Sequence, residues 1–115
     1  MKTYDITPVA KPRQTRSDKW KQRPCVMRYR AFADEVRAAG IKIPESGAHI
    51  FFIIPMPKSW SKHKKTMMDG RPHQAKKDVD NLLKSVLDAV YKDDSCVWDI
   101  RISKVWGNKG GIIIK

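Results

Sequence analysis

Asp78-Val79-Asp80-Asn81-Leu82-Leu83-Lys84-Ser85-Val86-Leu87-Asp88-Ala89-Val90-Tyr91-Lys92-Asp93-Asp94 sets a helical period between two acidic pairs. Leu83, Val86, Leu87 and Val90 form an apolar stripe with Leu82 beside it, and Asn81, Lys84, Ser85, Asp88 and Lys92 populate the other side. The pattern predicts a helix over 80–92. Asp78 or Asp80 is a favourable N-cap, because a carboxylate there meets the free N–H groups and the positive end of the helix dipole. Lys84 follows Asp80 by four residues and shares its helix face.

The segments on either side read as strands and one more helix. Residues 48–54, Ala-His-Ile-Phe-Phe-Ile-Ile, are a continuous apolar run closed by Pro55 and Pro57. Such a run is expected to be a central strand covered on both faces. Residues 28–39 place Tyr29, Phe32, Ala33, Val36 and Ala39 on one helical face, with Gly40 as C-cap. Residues 2–7 alternate weakly and suggest a short first strand before Pro8 and Pro12. Downstream, Trp98, Ile100, Ile102 and Trp106 alternate with Asp99, Arg101 and Ser103. Gly107 to Gly111 then reads as a hairpin loop, and Ile112 to Ile114 as a returning strand. The expected order is β-α-β-loop-α-β-β, a single α+β domain over residues 1–115 with a mixed sheet packed by helices. A chain this small buries a modest core, so dimerisation would help it.

Charge separates the chain into two parts. Residues 1–77 hold 18 Lys+Arg against 6 Asp+Glu, whereas residues 78–115 hold 6 of each. The whole formal excess of +12 therefore precedes Asp78. It lies in two basic segments. The first, 11–30, carries Lys11, Arg13, Arg16, Lys19, Lys21, Arg23, Arg28 and Arg30 against Asp18 alone, and reads as a long loop able to track phosphates. The second, 58–77, carries Lys58, Lys62, Lys64, Lys65, Arg71, Lys76 and Lys77, and reads as a lid over a substrate. Such asymmetry points to a polyanionic partner, nucleic acid ahead of an anionic membrane, although a basic solvated surface has the same composition. Trp60 in the second loop fits either stacking on a base or filling a gap in the core.

Other classes are disfavoured. No apolar run is long enough to span a membrane, and Met1-Lys2-Thr3-Tyr4-Asp5-Ile6 lacks the apolar stretch of a signal peptide, so a cytoplasmic protein is expected. Cys25 and Cys96 are expected as free thiols, and no Cys/His spacing suits zinc. Small-molecule cofactor motifs are absent.

By itself Asp-x-Asp-Asn fits a capped helix with a charged exposed face. Two features favour a metal site. The acids sit in an otherwise basic chain, where they would repel DNA without an intervening cation, and a second acidic pair follows the same helix. Convergent aspartates can hold magnesium, which positions a water and offsets charge developing on a phosphodiester. Lys84 could contact that phosphate.

These residues resemble a known family. Lys77-Asp78-Val79-Asp80-Asn81-Leu82-Leu83-Lys84, then Leu87-Asp88-Ala89, then Asp93-Asp94-Ser95 and Val97, are similar to the RusA family of Holliday-junction resolvases. Pro8-Val9-Ala10-Lys11-Pro12-Arg13 also resembles the turn after that family's first strand. The resemblance implies an intertwined homodimer with Mg2+ (or Mn2+) that nicks four-way DNA junctions in pairs during recombination and repair, often encoded by phages or prophages. It places metal-binding carboxylates on Asp78, Asp80 and Asp94, with Asp93 as substitute, and an active-site lysine on Lys84. Lys11, Arg13, Arg16, Lys62, Lys64, Lys65, His73, Lys76 and Lys77 are the expected DNA contacts, with a surface or structural role equally open for His73. The other readings are a non-catalytic DNA- or RNA-binding module and a nuclease for other branched DNA.

Geometry poses a difficulty. The ends of a straight helix over 80–92 lie about 18–20 Å apart, while paired metals lie only ~3.5–4 Å apart. Either a partner subunit supplies Asp94, or the helix ends near Asp88 and the chain reverses.

Overall fold

The computed structural model describes residues 1–12 and 24–115. Strand β2 (Ser46–Pro55) is the spine. It pairs in parallel with β3 (Asp99–Gly107) on one side and antiparallel with β4 (Gly111–Ile114) on the other. The short β1 (Lys2–Tyr4) pairs antiparallel with β4, giving a mixed sheet of order β1-β4-β2-β3. The fold is therefore α+β, as expected, but Gly107–Gly111 is not a hairpin loop. β2 lies between β3 and β4, and the intervening link carries the chain over the end of β2, where Met56 N–H donates to the Gly107 carbonyl. A local glycine turn cannot reveal a third strand that takes both partners. The last strand completes its pairing within the chain.

Among the described residues three α-helices accompany the sheet. Helix α1 (Pro24–Ala38) starts earlier than its apolar period suggests, with Pro24 at a position where the missing N–H costs nothing. Thus the expected long loop over 11–30 is helical from Pro24, and its residues 13–23 lie outside the described residues. Gly40 takes the left-handed conformation (φ 67°) after the helix, as a C-cap glycine does. Helix α2 (Lys62–Met68) lies inside the segment expected to be a loop. Ser61 caps it by accepting from Lys64 N–H, and left-handed Gly70 follows it. Helix α3 (Val79–Val90) matches the central period.

One apolar cluster joins these elements. Phe32, Ala33 and Val36 of α1 and Leu82, Val86 and Leu87 of α3 meet Ala48, Ile50, Phe52 and Ile54 of β2. Each fully buried side chain of this size contributes about 1.5–3 kcal/mol. Burial alternates strictly along β2 from Ala48, so one face of the strand is fully buried and the other only partly covered. His49, Phe51 and Ile53 on the second face remain half-buried. The apolar run expected to be covered on both faces is therefore fully covered on one and partly on the other. Trp98, expected to share a face with Ile100, Ile102 and Trp106, precedes β3 and is 77 % exposed. No helix among the described residues is long and apolar enough to cross a membrane.

Candidate functional site

Helix α3 displays Asp80 and Lys84 on one face, and the chain beyond it turns back toward them. The helix stops at Val90. Tyr91 is extended (φ −115°, ψ 140°), and its hydroxyl donates to the Ile43 carbonyl. Asp93 then opens a 3₁₀ turn over Asp94–Cys96 by accepting from Ser95 N–H at 3.0 Å. That bond, made mainly to the ionised form, lowers the Asp93 pKa. With Asp93 committed to the turn, Asp94 faces α3, and its Oδ2 lies 3.1 Å from Lys84 Nζ.

The result is an open cavity of about 380 Å3 lined by Asp80, Leu83, Lys84, Leu87, Asp94, Ser95, Val97 and Ile102. Asp80 and Asp94 thus line one site within a single chain, which removes the geometric reason for a partner's Asp94. The helix ends at Val90, two residues beyond Asp88, and the reversal after it brings the second acidic pair back along it. Asp78 is the N-cap residue of α3, exposed, with no side-chain capping bond. Among the described residues no group of three acidic, histidine or cysteine side chains is placed to hold a metal ion, so the expected set of Asp78, Asp80 and Asp94 is not assembled in this structure. Asp80 and Asp94 are hard oxygen donors on an open cavity. That suits magnesium, which typically takes one or two carboxylates and keeps several waters.

Lys84 is embedded in a chain of alternating charge. Its ammonium reaches Asp94 at 3.1 Å and Asp88 at 3.7 Å, and Asp88 Oδ2 accepts from Lys11 Nζ at 2.6 Å. The hydrogen bond to Asp94, then the charges of Asp88 and Asp94, raise the Lys84 pKa, so the side chain stays cationic. Burial by itself would raise the Asp88 carboxyl. The bond and charge of Lys11, with Lys84 and the Tyr29 hydroxyl, outweigh it and leave Asp88 below its ordinary value. Sequence reasoning quoted Asp88 without giving it a role. Its spacing of four from Lys84 was the available signal.

The expected DNA contacts divide. Lys62 and Lys64 on α2 are exposed and Lys65 partly so, and α2 buries none of its residues. Lys64 Nζ lies 4.2 Å from the Trp60 ring centre, and Trp60 packs on Trp106 at 4.8 Å, so Trp60 fills a gap beside the core. Lys76 and Lys77 are exposed. Lys11 is turned inward to Asp88 and its backbone N–H donates to the Asn81 carbonyl, so it anchors the N-terminal segment to α3. Of the roles open to His73, its position fits the structural one. It is 4 % exposed, stacks on Trp106 at 4.2 Å and leaves Nδ1 buried without a partner. Arg13 and Arg16 lie outside the described residues. Both cysteines are free thiols.

The residues before α3 are stitched to the free edge of β3. Gly70 N–H donates to Trp106 O, Trp106 N–H to Arg71 O, and His73 N–H to Lys104 O. Beyond His73 the Lys104 ammonium takes over, donating to Ala75 O at 3.0 Å and Lys77 O at 2.7 Å. Lys77 itself has φ 98°, a conformation that costs a non-glycine residue about 1–3 kcal/mol. Lys104 escaped sequence reasoning because its partners are distant backbone carbonyls, which leave no mark on side-chain pattern.

The mixed α+β fold thus carries an acidic, lysine-containing cavity on α3 and, separately, a basic helix α2. The profile of the family described as Endodeoxyribonuclease RusA matches residues 5–115, and the chain belongs to that family. It is also 44 % identical over 64 residues to the uncharacterized protein YqaN of Bacillus subtilis (strain 168), covering 48 % of this chain and 44 % of that protein. The chain thus spans less than half the length of that relative. No solved structure matches.

Proposed function

We propose that this protein is a magnesium-dependent, structure-specific endonuclease that resolves four-way DNA junctions by paired nicks, working as a homodimer in recombination and repair. Asp80, Lys84 and Asp94 sharing one cavity is the observation that carries the reading. Membership of an endodeoxyribonuclease family and the formal charge of +12 support it.

In this reading Asp80 and Asp94 hold the cation, and Asp78, two residues before Asp80 at the start of α3, is the further carboxylate. Bound magnesium supplies an activated water and offsets phosphate charge. Lys84, kept cationic by its two carboxylates, meets the negative charge that develops on the scissile phosphate. The lysines of α2, with Lys76 and Lys77, neutralise backbone phosphates and place the junction. Two nicks of like polarity call for two related sites, which a two-fold homodimer provides.

A synthetic four-way junction incubated with purified protein, with and without Mg2+, tests the proposal. Symmetric nicks that require Mg2+ are expected. An intact junction throughout, with binding retained, would instead make the chain a non-catalytic DNA-binding module, and cleavage restricted to flaps or forks would redirect the substrate. Sedimentation should give a dimer at working concentration. Junction binding should weaken steeply between about 50 and 200 mM salt, since each neutralised phosphate releases counterions.

A further inference from the structure

We infer that Lys104 is a positioning residue for the acidic start of α3, fixing Asp78 and Asp80 through the backbone rather than by touching DNA or the cation. Three observations converge. One ammonium holds two carbonyls, Ala75 O at 3.0 Å and Lys77 O at 2.7 Å. The second of them belongs to Lys77, the described non-glycine residue with positive φ, at 98°. The next residue is Asp78, whose carboxylate makes no capping bond and so does nothing to hold its own backbone in place.

A lysine residue with φ near 98° relaxes toward ordinary backbone unless its surroundings over-determine it. The carbonyl bond from Lys104 supplies that constraint at the residue that sets the direction of Asp78. Lys104 is itself held, because β3 pairs it with Phe52 of the fully buried core. The upstream part of the segment reaches the same strand through His73 N–H and the Lys104 carbonyl. Residue 104 therefore binds the incoming segment with its backbone and, two to four residues later, with its side chain. Lys84, by contrast, meets side-chain carboxylates.

The inference rests on the metal-dependent reading of Asp78 and Asp80, so the experiment separates the two. Mn2+ binding is measured without DNA by the electron paramagnetic resonance signal of free Mn2+. Amide hydrogen exchange is read in metal-free protein, and junction binding in EDTA. For Lys104→Met we expect about 10-fold weaker Mn2+ binding, the scale of lost support behind a metal ligand. Exchange across residues 75–80 should rise by roughly 10-fold, while the β2 amides stay protected. Junction binding should stay near the wild-type value. Adding Lys77→Gly to Lys104→Met should recover much of the Mn2+ affinity, because glycine adopts positive φ without a clamp. Lys104→Gln, a neutral donor to the same carbonyls, should lie between wild type and Lys104→Met, and it replaces Lys104→Met if that variant does not fold.

Unchanged Mn2+ affinity and unchanged exchange in Lys104→Met, beside a wild type that binds Mn2+ and cuts, overturn the inference alone. Lost junction binding with intact Mn2+ affinity would make Lys104 a phosphate contact and overturn it as well. A wild type that binds no Mn2+ and cuts nothing overturns the metal reading and this role with it.

Discussion

Asp80 and Asp88 stand on the same helix about two turns apart, and their surroundings are opposite. Asp88 is half-buried and gathers Lys11 at 2.6 Å, the Tyr29 hydroxyl at 3.3 Å and Lys84 at 3.7 Å. Asp80 is exposed on the cavity and has no side-chain hydrogen bond among the described residues. A carboxylate with several protein donors is held by the fold and holds the fold in turn. One without such donors among the described residues leaves its oxygens open to a cation in the reading proposed above. In the proposed reading the contrast makes Asp88 a structural group and Asp80 a cation ligand, and it can be broken by exchanging one charge at a time.

The largest effect is expected from Asp80→Asn. Junction cleavage should fall by about 100-fold or more, the scale of damage to a metal site, while stability shifts by roughly 0.5 kcal/mol through the helix dipole. Gel assay and thermal melting read the two arms. A comparable fall in melting point and activity would erase the distinction between the two aspartates. Junction binding should persist or tighten in this variant, because an anion has left a surface that faces phosphate.

Asp88→Asn should act the other way. Losing the charged bonds to Lys11 and Lys84 is expected to cost about 1–3 kcal/mol, read as a lower urea midpoint. Because the folded Asp88 carboxyl lies below its ordinary value, its contribution is present above the unfolded value near about 3.9 and fades as pH falls through the folded one. The variant should therefore lose less stability than wild type on acidification. An equal acid slope would remove Asp88 from this account.

The smallest effect belongs to His73. Burial, then the charges of Lys104 and Lys77, lower its pKa, so the folded protein takes up its proton later than the unfolded chain. Stability should decline as pH drops below about 6.5. His73→Phe keeps a ring against Trp106 and should flatten that decline. A decline of undiminished slope would place its origin elsewhere.

What the sequence revealed follows the range of its signals. Helix α3 was legible because its apolar stripe repeats within the helix itself, and Asp78, Asp80, Lys84 and the second acidic pair could be named from that frame. The return of Asp94 was not legible, because it depends on Tyr91 being extended and on Asp93 closing a 3₁₀ turn. Strands β3 and β4 were both recognisable by composition. Their separation by β2 was not, since a Gly-rich link has the same residues whether it closes a hairpin or crosses a third strand. Helix α2 was hidden by its length of 7 residues, although Ser61 before it and Gly70 after it marked its ends. The two faces of β2 looked alike in sequence because Phe51 and Ile53 are as apolar as Phe52 and Ile54.

Residues 70–73 lie along the outer edge of β3, with Pro72 bridged to Val105 and backbone bonds from Gly70, Trp106 and His73. An unpaired strand edge invites another chain to add itself as the next strand. Here the chain has already filled that place with its own approach to α3, and a proline sits in the middle of the filling segment. The sheet is thereby closed to growth along this stretch of β3. Self-association by strand addition there would first have to peel away the segment that delivers Asp78, so assembly and an intact acidic site would compete for the same edge. A stable pair of subunits must meet on another surface.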